Sequence, residues 1–503
     1  MVAKISSMGL NGIGGIEVLV ECSISSGLPG FEIVGLPDAA VRESRDRVRA
    51  AIKNSGHKFP LGRIIVNLAP ADIKKEGTVY DLPIYLGILR ATGEIEKIPE
   101  DFAFIGELSL EGKLRPVRGA LPMALSAEES GKSKFFVPAA NASEASFAAG
   151  TQVYAIEDVN ELLSYLKGEL ELTAAKEPNL LRDVSYQADF RDVMGQQNVK
   201  RAIEIAAAGG HNLLMIGPPG SGKSMLAKRI PGILPEMTRA EIIETTKIHS
   251  VAGKTSARHP IKSLRPFRAP HHTVSAVAMS GGGSMLQPGE ISLSHNGVLF
   301  LDEFPEFSRD VLEVLRQPLE DGEVTISRAT GSVTYPSSFM LICAMNPCKC
   351  GWYGHPSGKC RCTDFEIQRY LSRISGPLLD RIDLIVQVEA LEYDEISRKT
   401  PGESSESIKK RVESARALQR ERFRSETGAN SKMGTKELRE HIVLDSDCDK
   451  LLKDAFDSLN LTGRSYDRIL RVARTIADLD SSSEIKPWHI AESISYRSFN
   501  IGA

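Results

Sequence analysis

Hydrophobic residues follow different periods in different parts of the chain. Residues 16–24 (IEVLVECSI) form an apolar run that predicts a strand, 39–54 carry charges at helical spacing, 64–68 are a short β-branched run, and 82–90 are apolar at helical period. Strands interleaved with charged helices make a small α/β or α+β domain, assigned to 1–168. Over 169–191 the periodicity gives way to polar residues around one proline, which reads as a linker. From 192 to 390, strand-like segments at 212–216, 297–301, 339–344 and 384–388 recur with helical stretches between them, the signature of a parallel sheet wrapped by crossovers. The charged, Ser-rich stretch 401–432 predicts a long surface helix. Beyond it Ile469, Val472, Ile476 and Leu479 recur at helix spacing, so 391–503 reads as a helical domain.

Length and composition agree with that division. A chain of 503 residues, 42% hydrophobic and 25% charged, holds about three domains with buried cores and is neither disordered nor fibrous. No run of 18 apolar residues occurs, and residues 1–20 lack a charged segment leading into a long apolar one. Neither a spanning helix nor a signal peptide is expected, which places the chain in the cytoplasm without a membrane partner. Lys plus Arg number 62 against 65 Asp plus Glu, a net charge of -3, so a polyanion must be met by a local patch rather than a global field. Seven cysteines are a sparse and odd set for a disulfide scaffold, yet four crowd into 348–362, which favours a metal over bridges.

The clearest chemistry is Gly217-Pro218-Pro219-Gly220-Ser221-Gly222-Lys223-Ser224, a GxxxxGK[ST] loop after an apolar strand and before the helix-like 225–230. Its backbone N–H groups are expected to turn inward around the phosphates of ATP, with Lys223 on the terminal phosphates and the Ser224 hydroxyl on Mg. The strand-like 297–301 ends in Asp302-Glu303, where a parallel sheet binds ligands. Asp302 is expected to hold Mg through water and Glu303 to orient or deprotonate the attacking water. Asn346, at the end of 340–345, is placed to position that water; a turn residue before Pro347 is the alternative reading. Arg381, before the last strand, suits a finger aimed at a neighbouring subunit's γ-phosphate, and Arg464 and Arg468 open the final amphipathic helix, where a cation reaches phosphates from a lid. Ordinary ion pairing, for Arg381 with Asp380 and Asp383, is the other reading.

Together these motifs resemble the AAA+ ATPases. The run Arg265-Pro-Phe-Arg-Ala-Pro-His-His-Thr273, the Gly281-Gly-Gly segment and the stretch from Pro288 to Glu303 resemble their Mg-chelatase-like branch. Residues 35–44 (GLPDAAVRES) and 66–77 (VNLAPADIKKEG) extend the resemblance to the ComM/YifB subfamily over almost the whole chain. It implies a hexameric ATPase with an AAA+ core, a helical lid and a Lon-protease-like amino-terminal domain; its competence members drive branch migration of DNA during natural transformation. It also implies Arg381 as the finger, and Arg464, with Arg468 next in line, as the second sensor. The Lon nucleophile is a serine activated by lysine. The corresponding turn here, residues 76–82 (EGTVYDL), has no serine, and 118–123 (RGALPM) has no lysine, so a scaffold rather than a protease is expected.

Charge is unevenly distributed although its sum is small. Between Glu244 and Glu290 there is no acid, against Lys247, Lys254, Arg258, Lys262, Arg265, Arg268 and four histidines. Between Glu323 and Asp364 the same absence recurs, with Arg328, Lys349, Lys359 and Arg361 interleaved with Trp352 and Tyr353. Such segments track a phosphate backbone and stack on bases, which makes DNA the expected partner and Arg265, Arg268, Arg328 and Lys349 the candidate contacts; Arg328 lies in an expected hairpin over 324–335. The same cations also suit ATP or subunit contacts. Cys348, Cys350, Cys360 and Cys362 form two close pairs on a Gly- and Pro-containing loop, sufficient for tetrahedral Zn, with reduced thiols as the alternative.

Overall fold

Alternation along 14–25 buries Val18, Val20 and Cys22 on one face of a strand. The strand pairs antiparallel with the amino-terminal strand Val2–Asn11 (Ile5 opposite Val20) and with Arg63–Ala69 (Val20 opposite Leu68). The structure is a computed structural model, which describes residues 2–178, 186, 188–283, 286–328, 331–390, 402–459 and 461–497. It divides into two compact units: the described residues of 1–182, 239–263 and 331–335, and those of 183–238, 264–330 and 336–503.

The first unit is built on a seven-stranded mixed sheet in the order Gly30–Val34, Arg63–Ala69, Gly14–Ser25, Val2–Asn11, Phe102–Phe104, Lys134–Pro138, Gln152–Ile156. Helices Ala39–Asn54 and Asp81–Thr92 pack on it, the former opened by Asp38, whose carboxylate accepts from Val41 N. A buried ion pair ties these helices together: Arg47 donates to both carboxylate oxygens of Asp81, at 2.7 and 3.0 Å.

The second unit holds a five-stranded sheet, Phe267–Arg268, Val298–Leu301, Met340–Met345, Leu213–Ile216, Leu384–Gln387, parallel throughout. The middle strands are buried on both faces, hence their unbroken apolar runs. The helices expected as a separate lid over 391–503 fall in this same unit. The helix Ser405–Phe423 corrects the surface-helix expectation, because Ile408, Val412 and Ala415 recur at helical spacing and enter the core formed with Gln197–Gly209 and Gly463–Leu479. Strands Glu323–Arg328 and Gly331–Pro336 form the expected two-stranded sheet; its Ala329-Thr330 turn, the linker positions 179–185 and 187, and the boundary at 391 lie outside the described residues.

Candidate functional site

Parallel register brings three chain segments to one edge of the second sheet. Ile216 pairs with Met345 and Leu301 with Cys343, so the loop 217–224, Asn346 and Asp302-Glu303 all emerge at the carboxyl ends of adjacent strands. Gly222 takes a φ of 90°, in the left-handed region that favours glycine, and helix Lys223–Ala227 follows. Lys223 is buried; its ammonium donates to Gly217 O at 2.7 Å and Pro218 O at 2.8 Å and reaches Asn346 Oδ1 at 3.3 Å. Burial pulls its pKa below the ordinary lysine value, and the nearby Asp302 charge opposes that shift. Ser224 Oγ donates to Asp302 Oδ2 at 2.5 Å. A hydroxyl and a carboxylate this close are a hard-oxygen pair of the kind Mg²⁺ takes alongside phosphate and water, so the donor set fits that ion.

Glu303 stands beside them with its backbone at φ 53°, uncommon for a residue with a side chain. His272 Nδ1 lies 3.1 Å from Glu303 Oε2. Sequence reasoning singled out Glu303 but gave His272 no role. The register explains the meeting: Arg268 pairs with Leu299, and four residues further along each chain lie His272 and Glu303. The signal was the two-residue strand Phe267–Arg268, too short for any period to reveal.

The arginines lie elsewhere. Leu384 pairs with Leu213, and Asn212 Nδ2 donates to Arg381 O at 2.8 Å, so Arg381 sits at the amino ends of the strands, across the sheet from its own chain's loop. Its guanidinium is held by Glu320 and by Pro377 O at 2.8 Å, not by Asp380 and Asp383 as the alternative ion-pair reading had it. Arg464 is exposed on the first turn of helix Gly463–Leu479. One turn later Arg468 is nearly buried, 3.5 Å from Asp383, and burial brings its pKa down to about 10. Burial pushes the Asp383 carboxyl up, but His211, Arg468 and the Asn212 N–H outweigh it and hold it below its ordinary value.

Two of the four candidate DNA contacts are engaged inside the protein. Arg268 donates to both oxygens of Glu290, at 2.6 and 2.7 Å, and Arg265 donates to the carbonyls of Pro235, Asn296 and Glu236. The acid-free run between Glu244 and Glu290 therefore includes two guanidiniums that have partners within the protein, with the Arg268 side chain still 30% exposed. Arg328 and Lys349 are exposed, and Lys359 lies 4.8 Å from the Trp352 ring centroid. The sulfurs of Cys348, Cys350, Cys360 and Cys362 all lie within 4.8 Å of one another.

Three profiles of one family match successive parts of this framework: "Subunit ChlI of Mg-chelatase" over residues 20–141, "Magnesium chelatase, subunit ChlI" over 189–396, and "Magnesium chelatase, subunit ChlI C-terminal" over 402–497. The chain is also 43% identical over 501 residues to the "Competence protein ComM" of Haemophilus influenzae, covering 98% of this chain and 97% of that one. The chain belongs to the ComM/YifB family of magnesium-chelatase-like proteins. The "Uncharacterized protein YifB" of Escherichia coli K12 is 43% identical over 492 residues, 97% of this chain and 96% of its own. The "Magnesium-chelatase 38 kDa subunit" of Acidiphilium rubrum is more distant, 25% identical over 31% of this chain and 52% of its own. The mixed α/β architecture with its parallel-sheet core is that of an AAA+ magnesium-chelatase-like protein, and the 189–396 match spans the glycine-rich loop, Asp302-Glu303, Asn346, Arg381 and the four clustered cysteines. Among the described residues no helix is long and apolar enough to cross a membrane.

Proposed function

We propose that the chain hydrolyses ATP with Mg²⁺ at residues 217–224 and, as a hexameric ring in the cytoplasm, couples that hydrolysis to movement on DNA, as branch migration or helicase action in recombination of transforming DNA. The observation that carries the ATPase half is the convergence of Lys223, the Ser224–Asp302 contact, Glu303 and Asn346 at one sheet edge. Lys223 and the loop N–H groups bind and orient the phosphates, and Glu303 accepts a proton from the attacking water, which Asn346 helps hold; Ser224 and Asp302 would hold Mg²⁺, which would supply charge neutralisation at the phosphates. Arg381, remote from its own loop, would complete a neighbour's site, with Arg464 or Arg468 contributing from a helical lid. The DNA half is supported by 43% identity to a protein named for competence and by the exposed Arg328 and Lys349. The first unit, read as a Lon-protease-like fold without its dyad, would serve as a scaffold, and the four cysteines would hold structural Zn²⁺.

The test is ATP turnover with and without branched duplex DNA, together with conversion of a fluorescent four-way junction, using Lys223→Ala as control. DNA-stimulated turnover and ATP-dependent junction conversion are expected; absence of both removes DNA from the reading. A chelatase-type remodeller acting on a protein partner is the second reading, favoured by the chelatase description on all three matching segments. It predicts turnover that answers to a protein and ignores DNA.

The contact between His272 and Glu303 yields its own expectation. His272→Ala is expected to lower kcat about tenfold with KM nearly unchanged, because it disturbs the base rather than the phosphate contacts, and His272→Gln should recover most of the loss. A KM effect of equal size in steady-state kinetics would show that His272 acts on nucleotide binding instead.

A further inference from the structure

The cysteine cluster touches the phosphate loop. Residues 346–363 contain no helix or strand, and within them only Cys348 and Gly351 are buried. Gly351 N donates to Cys348 O at 2.9 Å, closing a turn that carries Cys350, and Gly351 takes a φ of 85°. A Cβ placed on Gly351 would lie 2.5 Å from Pro219 Cδ, 2.7 Å from Pro219 Cγ and 3.8 Å from Asn346 Cγ. The turn bearing two of the thiols is therefore pressed against both the loop expected to hold phosphate and the asparagine beside it.

The sulfur positions argue for an ion. Cys348 Sγ lies 3.3 Å from Cys350 Sγ and 3.8 Å from Cys360 Sγ, and Cys350 Sγ lies 3.6 Å from Cys360 Sγ. A disulfide needs about 2.05 Å. Four sulfurs around Zn²⁺ at about 2.3 Å stand about 3.8 Å apart by tetrahedral geometry. Three of the four cysteines are half-exposed, so no apolar core gathers them, and thiol–thiol contacts are weak.

We propose that Cys348, Cys350, Cys360 and Cys362 bind Zn²⁺ as four thiolates and that the metal-pinned turn braces the phosphate loop through Gly351 against Pro219, so that metal occupancy sets nucleotide affinity. The inference rests on the reading of residues 217–224 as the nucleotide loop. Each thiol releases its proton to water on ligation, and loss of the ion leaves the irregular 348–363 segment without its cross-link. The brace then relaxes, and a displacement of about 1 Å at such a loop is enough for a large loss of function.

The experiment uses the full chain purified under reducing conditions. Elemental analysis is expected to find about one zinc per chain. Titration with a mercurial followed by removal of mercury with excess thiol and a chelator should raise the Kd for a fluorescent ADP analogue by about tenfold or more, and Zn²⁺ but not additional Mg²⁺ should restore it. Gly351→Ala should keep its zinc and still raise the Kd about as much, which separates the brace from simple unfolding. Lys223→Ala should keep full zinc while losing nucleotide affinity. A chain without metal, or with two disulfides in this cluster, overturns the proposal. So does a zinc-stripped chain that binds nucleotide within about twofold of the loaded one, and that result leaves the nucleotide loop standing. A zinc-loaded wild-type chain that binds no ADP overturns the reading of the loop and the brace with it.

Discussion

Arg381→Ala is expected to lower ATP turnover by about a thousandfold or more while leaving nucleotide affinity within about twofold, the signature of a group that meets the γ-phosphate only as it is transferred. The reason is positional. Arg381 precedes the strand Leu384–Gln387, whose first residue pairs with the first residue of the strand leading into the phosphate loop. Four strand residues at about 3.3 Å each put about 13 Å of sheet between the two sites, beyond the reach of an arginine folded back on Pro377 O. On the proposed reading, the phosphates it would serve belong to another copy. Its ion pair with Glu320 then has to open when a neighbour docks, so specific activity should rise with protein concentration. Steady-state turnover at several protein concentrations, alongside equilibrium binding of a nucleotide analogue, checks both statements; an Arg381→Ala chain that retains turnover would leave the finger role untenable.

The largest stability effect is expected in the first unit. Arg47 donates to both oxygens of Asp81, and Leu108 N donates to the same carboxylate at 3.1 Å, with the Asp81 side chain 0% exposed. Arg47→Ala leaves that carboxyl buried without its cation, with only the Leu108 N–H and the Ser44 hydroxyl as partners, a defect worth about 3–5 kcal/mol. For a unit of this size the corresponding drop in Tm is about 6–20 °C. Replacing both partners, as Arg47→Met with Asp81→Leu, should return most of the stability, because an apolar pair of similar volume leaves no unpaired charge. Calorimetry of the two variants beside the wild type decides the matter: a shift under about 3 °C for Arg47→Ala would mean that the helices Ala39–Asn54 and Asp81–Thr92 hold together without the pair.

What was legible in the sequence followed from how regular each element is. The three middle strands of the parallel sheet stood out because burial on both faces demands unbroken apolar runs, and the edge strand Leu384–Gln387 stood out by its three apolar residues. The loop 217–224 was legible because its backbone turn requires glycines at fixed positions. Val2–Asn11 escaped notice because Ser6 and Ser7 interrupt its apolar pattern, although Ser7 is fully buried. The helix Ser405–Phe423 looked like surface because its inward stripe is narrow and includes Gln419, whose amide donates to Ala208 O and whose carbonyl accepts from Asn430 N. Charge counted along a chain does not show partners: Glu290, 22 positions beyond Arg268, pairs with it across the fold. The sequence also could not show that Arg464 is exposed while Arg468, one turn on, lies beside Asp383. His272 was beyond sequence reasoning for a different cause, that its place depends on the register of a strand two residues long.

Mixing two inactive variants tests the shared site most directly. Lys223→Ala lacks the loop lysine but keeps the finger; Arg381→Ala lacks the finger but keeps the loop. In rings assembled from equal amounts of both, about a quarter of the interfaces join an intact loop to an intact finger, so ATP turnover should recover to about that fraction of wild type. Turnover that stays at the sum of the two separate variants, under conditions where mixed assemblies form, would contradict an active site completed by a second copy of the chain.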